Sequence, residues 1–93
     1  MAAISGQTTV TTAGTEVVLG TLAVQRSLMI KALDTNTGVV VVGHVADGVV
    51  AVSTGMRLLP GEVVIFEHVG NLNSIMVDSA VNGEGVAWLA LDV

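Results

Sequence analysis

The chain carries apolar residues in both alternating phases of its most strand-like segments. Residues 39–42 are four consecutive valines, and residues 63–66 run Val-Val-Ile-Phe. Successive side chains of a β-strand point to opposite faces of the sheet, and the solvated face of an antiparallel sheet is normally polar. Apolar side chains in both phases therefore need cover on both faces. The pattern predicts a small β-protein that buries one face in its own core and part of another against a copy of itself or a larger partner.

Size and composition favour one domain that gains stability by association. A chain of 93 residues has room for a single core and lies close to the size at which such a core only just suffices. The sequence is 52% hydrophobic and only 12% charged. We therefore expect one β domain over residues 1–93 that forms a homo-oligomer. Its small, Thr-rich residues 1–14 are compatible with either an edge strand or an N-terminal arm.

Turn signals divide the chain into short strands. No helical period of 3.6 residues is sustained, and Val, Thr and Gly are common. The spacing of Gly, Asn and Pro suits an all-β, antiparallel sandwich or barrel of about eight strands. Gly20 marks a point where one of these strands could divide in two. The predicted strands lie near residues 8–12, 15–24, 27–34, 39–43, 49–53, 62–68, 74–79 and 86–92.

Three turns have specific signatures. Asn36-Thr37-Gly38 predicts a hairpin between the strands at 27–34 and 39–43, because Asn and Gly tolerate positive φ. Leu59-Pro60-Gly61-Glu62 predicts a type II turn, with Pro presetting φ at the first central position and Gly supplying positive φ at the second. Asn82-Gly83-Glu84-Gly85 predicts a further hairpin rather than a phosphate-binding loop, since it lies between two strands and has no lysine.

The charge distribution argues against nucleic acid as a partner. The net charge is −5, the only basic residues are Arg26, Lys31 and Arg57, and five acidic residues follow Arg57. Nucleic-acid affinity comes mainly from Lys and Arg, so we expect this protein not to bind nucleic acid. An acidic surface could instead contact a basic patch on another protein. The longest apolar run, residues 86–91, is far shorter than a membrane span, and the first residues lack the features of a signal peptide. We expect no membrane partner and synthesis in a cytoplasm.

No pattern points to catalysis or to a bound metal. The chain has no cysteine, and a zinc site would need both His44 and His68 together with carboxylates such as Asp47, Glu62 or Glu67. Ordinary exposed or hydrogen-bonded histidines are the favoured interpretation. No serine stands in a strand-to-helix elbow, and no pair of carboxylates is singled out. We therefore expect a protein that is not an enzyme and has no catalytic residue, cofactor or metal.

Five apolar residues are candidate core or interface anchors. Phe66 and Trp88 are the only aromatic residues, and Met56, Leu58 and Leu59 stand beside a predicted turn. Two aromatics cannot build much of a sugar-binding or base-stacking platform. Trp88 has apolar neighbours two residues away on both sides, so we expect its ring to be buried in the core or an interface, with its N–H donated to a backbone carbonyl.

The turn and strand motifs of the chain, in order, are Thr12-Ala13-Gly14-Thr15, Ile30-Lys31-Ala32, Asn36-Thr37-Gly38 with the valines up to Gly43, Gly55, Leu59-Pro60-Gly61-Glu62, Leu72, Ile75-Met76-Val77 and Gly85-Val86-Ala87-Trp88-Leu89. This order resembles that of small virion proteins of tailed bacteriophages. The resemblance covers most of residues 12–91, and the order of the motifs, rather than any single one, gives it weight. The strand after the Asn-Thr-Gly turn has valine, at Val40 or Val41, where the family usually has an aromatic residue.

The resemblance implies a β-sandwich of jelly-roll type that assembles as a trimer. It further implies a capsid cement or decoration protein that binds the outside of a phage head, with the major capsid protein as partner and the capsid surface of the virion as location. The alternative is a receptor- or carbohydrate-binding module on a head fibre or tail. That module would need exposed aromatic residues or an ordered polar pocket, which the sequence does not display.

Overall fold

A computed structural model describes residues 3–21, 23–24, 27–44, 55–67 and 70–91. Within these ranges the chain forms ten strands and one short 3-10 turn, Leu72–Ser74. The strands are β1 Ala3–Val10, β2 Val17–Val18, β3 Ala23–Val24, β4 Ser27–Ala32, β5 Val40–His44, β6 Met56–Leu58, β7 Val63–Glu67, β8 Gly70–Asn71, β9 Ile75–Ser79 and β10 Glu84–Leu91.

Eight of these strands form two antiparallel sheets. Sheet A has the order β1-β10-β4-β7, and sheet B has the order β2-β9-β5-β6. The strands β3 and β8 form a separate two-stranded pair. The prediction of a small all-β, antiparallel sandwich is therefore confirmed.

The inner faces of the two sheets form the core. Leu28, Ile30 and Ala32 alternate along β4 and are fully buried, as required of a strand with one face turned inward. Leu72, at the start of the 3-10 turn, also belongs to this cluster. The remaining buried members are Val10, Leu19, Val40, Val42, Leu58, Val77, Val86 and Ala90.

The predicted hairpin at Asn36-Thr37-Gly38 is wrong. The strand before the turn, β4, belongs to sheet A, and the strand after it, β5, belongs to sheet B, so the loop crosses between the sheets. The Asn36 side chain reaches across the sequence instead of closing a local turn: its Nδ2 donates to the Gly85 carbonyl oxygen at 2.9 Å. Gly38 is not among the glycines with positive φ. This connection therefore lacks the geometry that a tight hairpin needs.

The turn at residues 80–83 is a second crossover rather than a hairpin. It connects β9 of sheet B to β10 of sheet A. Gly83 has φ +81°, and its N–H donates to the carbonyl oxygen of Val10 at 2.8 Å. Gly83 thus provides the predicted reversal of the backbone, but the turn is hydrogen-bonded to Val10, at the end of β1.

The type II turn at residues 59–62 is confirmed. Gly61 has φ +83°, and the Glu62 N–H donates to the Leu59 carbonyl oxygen at 2.9 Å, which closes the four-residue turn. The turn leads from β6 of sheet B to β7 of sheet A. Its Gly61 N–H also donates to the Ala32 carbonyl oxygen at 3.0 Å, at the end of β4.

Strand bounds differ from the prediction mainly near the ends of the chain and around residue 56. The first strand, β1, begins earlier than residue 8 and forms an edge of sheet A. The predicted strand at 15–24 is divided into β2 and β3, with Gly20 between them. A strand, β6, occupies residues 56–58, where none was predicted. The predicted strand at 49–53 and the end of the 62–68 strand, including His68, lie outside the described residues.

Candidate interaction surfaces

The outer face of sheet A is built from three rows of directly opposed residues. Residues paired across neighbouring strands lie on the same face of a sheet. In the central row Leu89 of β10 is opposite Met29 of β4, which is opposite Ile65 of β7. In the next row Lys31 of β4 is opposite Val63 of β7. The third row, on the other side of the central one, contains Leu91, which follows Leu89 on β10 by two residues and so lies on the same face. These positions are out of phase with the core residues of the same strands, so they point away from the core.

Five of these outward-facing residues are apolar and open to solvent. Ile65 is 61% exposed, Val63 47%, Leu89 and Leu91 40% each, and Met29 39%. We call these five residues the outer stripe. Neighbouring strands are about 4.8 Å apart, so the central row alone spans roughly 10 Å across three strands. The stripe is therefore a continuous apolar surface and not a set of isolated side chains.

The outer face of sheet B is different, because its centre is covered. Val41 and Asp78 are directly opposed on β5 and β9, and they are 0% and 1% exposed. The loop between β1 and β2 approaches this point, since Asp78 Oδ1 accepts a hydrogen bond from the Gly14 N–H at 3.0 Å and another from the Ser79 N–H at 2.8 Å. Both phases of the valine run in β5 are thus buried, whereas the outward phase of β7 in sheet A stays open.

Trp88 and Phe66 are on the inner face of sheet A. Both are half-buried and pack against the core cluster. The Trp88 indole N–H donates to the Thr8 hydroxyl at 3.3 Å, and that hydroxyl donates to the Leu19 carbonyl oxygen at 2.6 Å. The predicted bond from the indole to a backbone carbonyl is therefore wrong. The Thr8 hydroxyl of the neighbouring strand β1 accepts the indole hydrogen bond and itself donates to the Leu19 carbonyl oxygen.

The other three candidate anchors do not form one surface with the outer stripe. Leu58 is buried in the core, at 5% exposure. Met56 is at the start of β6 in sheet B and is exposed, and Leu59 is exposed at the first position of the type II turn. Met29, Leu89 and Leu91 of the stripe were not predicted from the sequence as surface residues. The signal for them was their phase relative to the core residues of β4 and β10.

Four loops meet at one end of the sandwich, which we call the crossover end. They are residues 11–16, 33–39, 59–62 and 80–83, and each connects one sheet to the other. The exposed acidic residues Asp34 and Glu62 lie there. The Lys31 ammonium is 3.4 Å from Asp34 Oδ1, and the two side chains are 43% and 73% exposed, so this ion pair contributes little to stability.

The Glu84 carboxylate organises the loop between β4 and β5. Its Oε2 accepts hydrogen bonds from the Thr37 N–H at 2.6 Å and the Thr37 hydroxyl at 3.0 Å, and its Oε1 accepts one from the Gly38 N–H at 3.0 Å. The bond from the Thr37 N–H is the largest effect on the pKa of Glu84. It and the other two bonds lower that pKa below its ordinary value, against a smaller opposing effect of desolvation.

Residues that could hold a metal are dispersed. In the described ranges no group of three or more His, Cys, Asp or Glu side chains is arranged to bind an ion. His44 is exposed at the end of β5, Glu62 is at the crossover end, and Glu67 is at the far end of β7. His68 and Asp47 lie outside the described residues. In the part of the chain that the structure describes, no helix has the length and apolar character needed to cross a bilayer.

Comparisons with protein-family models, with curated proteins and with solved structures found no match for this chain.

Proposed function

We propose that this protein is a structural component of a bacteriophage virion, a capsid cement or decoration protein that binds the outside of the head. The observation that carries the proposal is the open apolar face of sheet A on a small β-sandwich, because a continuous exposed patch of this kind marks an interaction surface, as expected of a protein that acts as an oligomer. The order of motifs along residues 12–91 supplies the virion context. In this role the protein has no chemistry to perform and acts by binding alone.

The strand order supports the jelly-roll type that the resemblance implies. Numbered in chain order, the eight strands of the two sheets have the orders 1-8-3-6 and 2-7-4-5. All but one of the connections between successive strands pass from one sheet to the other. A jelly roll has this kind of double sheet, in which eight strands in total form two Greek keys.

The proposed mechanism is mechanical. A trimer at a local symmetry axis of the capsid contacts several capsid subunits at once, and each contact exists only in the assembled lattice. Binding to the assembled state alone stabilises that state by mass action, and several weak contacts acting together raise the total affinity steeply. The acidic crossover end, with Asp34 and Glu62, suits a basic patch on the major capsid protein.

The test uses purified heads of the phage that encodes this chain, stripped of the protein and then supplied with it again. Electron microscopy should show trimeric density on the outer surface of the capsid. Heads that carry the protein should retain their DNA to a higher temperature than stripped heads. Substitution of Asp34→Lys should weaken binding to heads, and raised salt should weaken it as well. Density on the tail alone, or no rebinding at any salt concentration, would reject the proposal.

The same preparation tests the alternative of a carbohydrate-binding module. The only two aromatic residues of the chain pack against the core between the sheets, which leaves no aromatic platform for a sugar ring. Specific binding of a glycan, with quenching or shift of the Trp88 fluorescence, would favour that alternative over the cement role.

A further inference from the structure

We propose that the outer face of sheet A, centred on the outer stripe, is the surface through which copies of this chain associate. The five residues of the stripe together expose on the order of 400 Å² of apolar surface, which is the size of the largest apolar patch on a typical monomer, and such patches are often functional. The inference deepens the proposed function by naming the surface through which the oligomer forms. It rests on the proposed function only for the expectation that the oligomer is a trimer.

The area fits a contact between two protein surfaces. If the stripe is buried on both copies, about 800 Å² of apolar surface is removed from water, and the flanking side chains of Ser5, Gln7 and Lys31 add to it. Specific contacts bury roughly 1,200–2,000 Å² in total, so the outer face is large enough to supply one. The face is also regular, because four paired strands form it, so the stripes of neighbouring copies can meet around a shared symmetry axis.

The charges favour a second copy over a basic partner as the occupant. The protein has a net charge of −5, so copies repel each other wherever acidic surfaces meet. The outer face carries one basic residue, Lys31, and one acidic residue, Glu67, at opposite ends of the β4 and β7 pair. Copies can therefore meet on this face without opposing like charges. A basic partner instead finds Asp34 and Glu62 at the crossover end.

The test is the oligomeric state of stripe variants. Ile65 is the most exposed residue of the stripe and lies on an edge strand, so Ile65→Lys places a charge in the contact without disturbing the core. Light scattering and sedimentation from 1 to 100 µM should show a wild-type oligomer and a variant whose dissociation constant is raised roughly 30-fold or more. The matched control is Leu59→Lys, which makes the same kind of change at a residue that is 56% exposed on the crossover end, and it should remain oligomeric.

A second stripe variant, Leu89→Thr, guards against a folding defect, since threonine suits a strand and adds no charge. Far-UV circular dichroism should show an unchanged fold for all three variants. An oligomer that resists both stripe substitutions overturns this inference and leaves the cement proposal standing. A wild-type monomer at 100 µM overturns the inference together with the proposed trimer. Dissociation by Ile65→Lys in a protein that never binds heads supports the inference and rejects the cement role.

Discussion

The contact between Gly6 and the Trp88 ring gives a direct test of how the inner face of sheet A is packed. These two residues are directly opposed on β1 and β10. A Cβ atom added at Gly6 would lie 2.7 Å from Trp88 Cζ2 and 3.0 Å from Cε2, where ordinary van der Waals contact is 3.4–4 Å. The ring is poorly able to move, because it packs against the core and its N–H bonds Thr8. Substitution of Gly6→Ala should therefore strain the site.

The expected magnitude follows from two opposing effects. Overpacking of this kind costs about 1–3 kcal/mol. Gly6 is not among the glycines with positive φ, so alanine fits the backbone, and it recovers about 0.4–1 kcal/mol by restricting the unfolded chain. The net loss of unfolding free energy should be about 1–2 kcal/mol, which corresponds to a melting temperature lower by roughly 5–15 °C in a domain of this size.

A double-mutant cycle isolates the clash from other effects of the substitution. In a Trp88→Phe background the second ring is absent, so Gly6→Ala should become neutral or slightly stabilising, with a coupling energy of about 1–2 kcal/mol. Urea unfolding should be followed by far-UV circular dichroism, since the variant has no indole fluorescence, and at one protein concentration because an oligomer unfolds in a concentration-dependent way. Equal destabilisation by Gly6→Ala in both backgrounds would refute the packing argument.

Three further predictions concern the crossover end. Hydrogen bonds lower the pKa of Glu84 below 4.5, so the stabilisation by its carboxylate should be present above pH 4.5 and be lost as the pH falls through the lowered pKa. The difference in unfolding free energy between wild type and Glu84→Gln should therefore shrink below pH 4.5. A difference that grows in acid contradicts this. Asn36→Ala should lower the unfolding free energy by about 2–3 kcal/mol in urea titrations, since the buried Asn36 amide hydrogen-bonds both the N–H and the carbonyl oxygen of Gly85. A loss below about 0.5 kcal/mol, which is typical of a substitution at an exposed site, would argue against a stabilising role for these two hydrogen bonds. Gly61→Ala should cost about 1–2 kcal/mol because its φ of +83° disfavours a side chain, and an unchanged midpoint would count against the assigned turn.

Local features of the fold could be predicted from the sequence, and pairing between distant strands could not. The type II turn at Gly61 depends on four consecutive residues, which carry the necessary information themselves. The turn at Asn36 is also visible in the sequence, but the following strand, β5, pairs with β6 and β9, which come later in the chain. A turn signature therefore predicts a change of direction and leaves the pairing of the strands open.

The exposed apolar face of sheet A could be predicted only in part. The apolar residues in both phases of β7 correctly indicated that one face of this strand would lack cover within the domain. The sequence does not show which phase of β7 faces solvent, because Val64 and Phe66 are as apolar as Val63 and Ile65. Only the register with β4 places Val64 and Phe66 against the core. The Trp88 and Gly6 contact was missed for the same reason, since it depends on the pairing of β1 with β10.

The position of β10 has a consequence for synthesis of the protein. This strand lies between β1 and β4 in sheet A, yet it leaves the ribosome after both of them. Sheet A therefore cannot form its interior while translation of β10 is incomplete, and the apolar inner faces of β1 and β4 have no mutual partner until then. Sheets that depend on such distant pairings fold in roughly milliseconds to seconds, which is slow for a domain of this size. Sheet A is accordingly completed only after β10 has been synthesised, when this strand pairs with β1 on one side and β4 on the other.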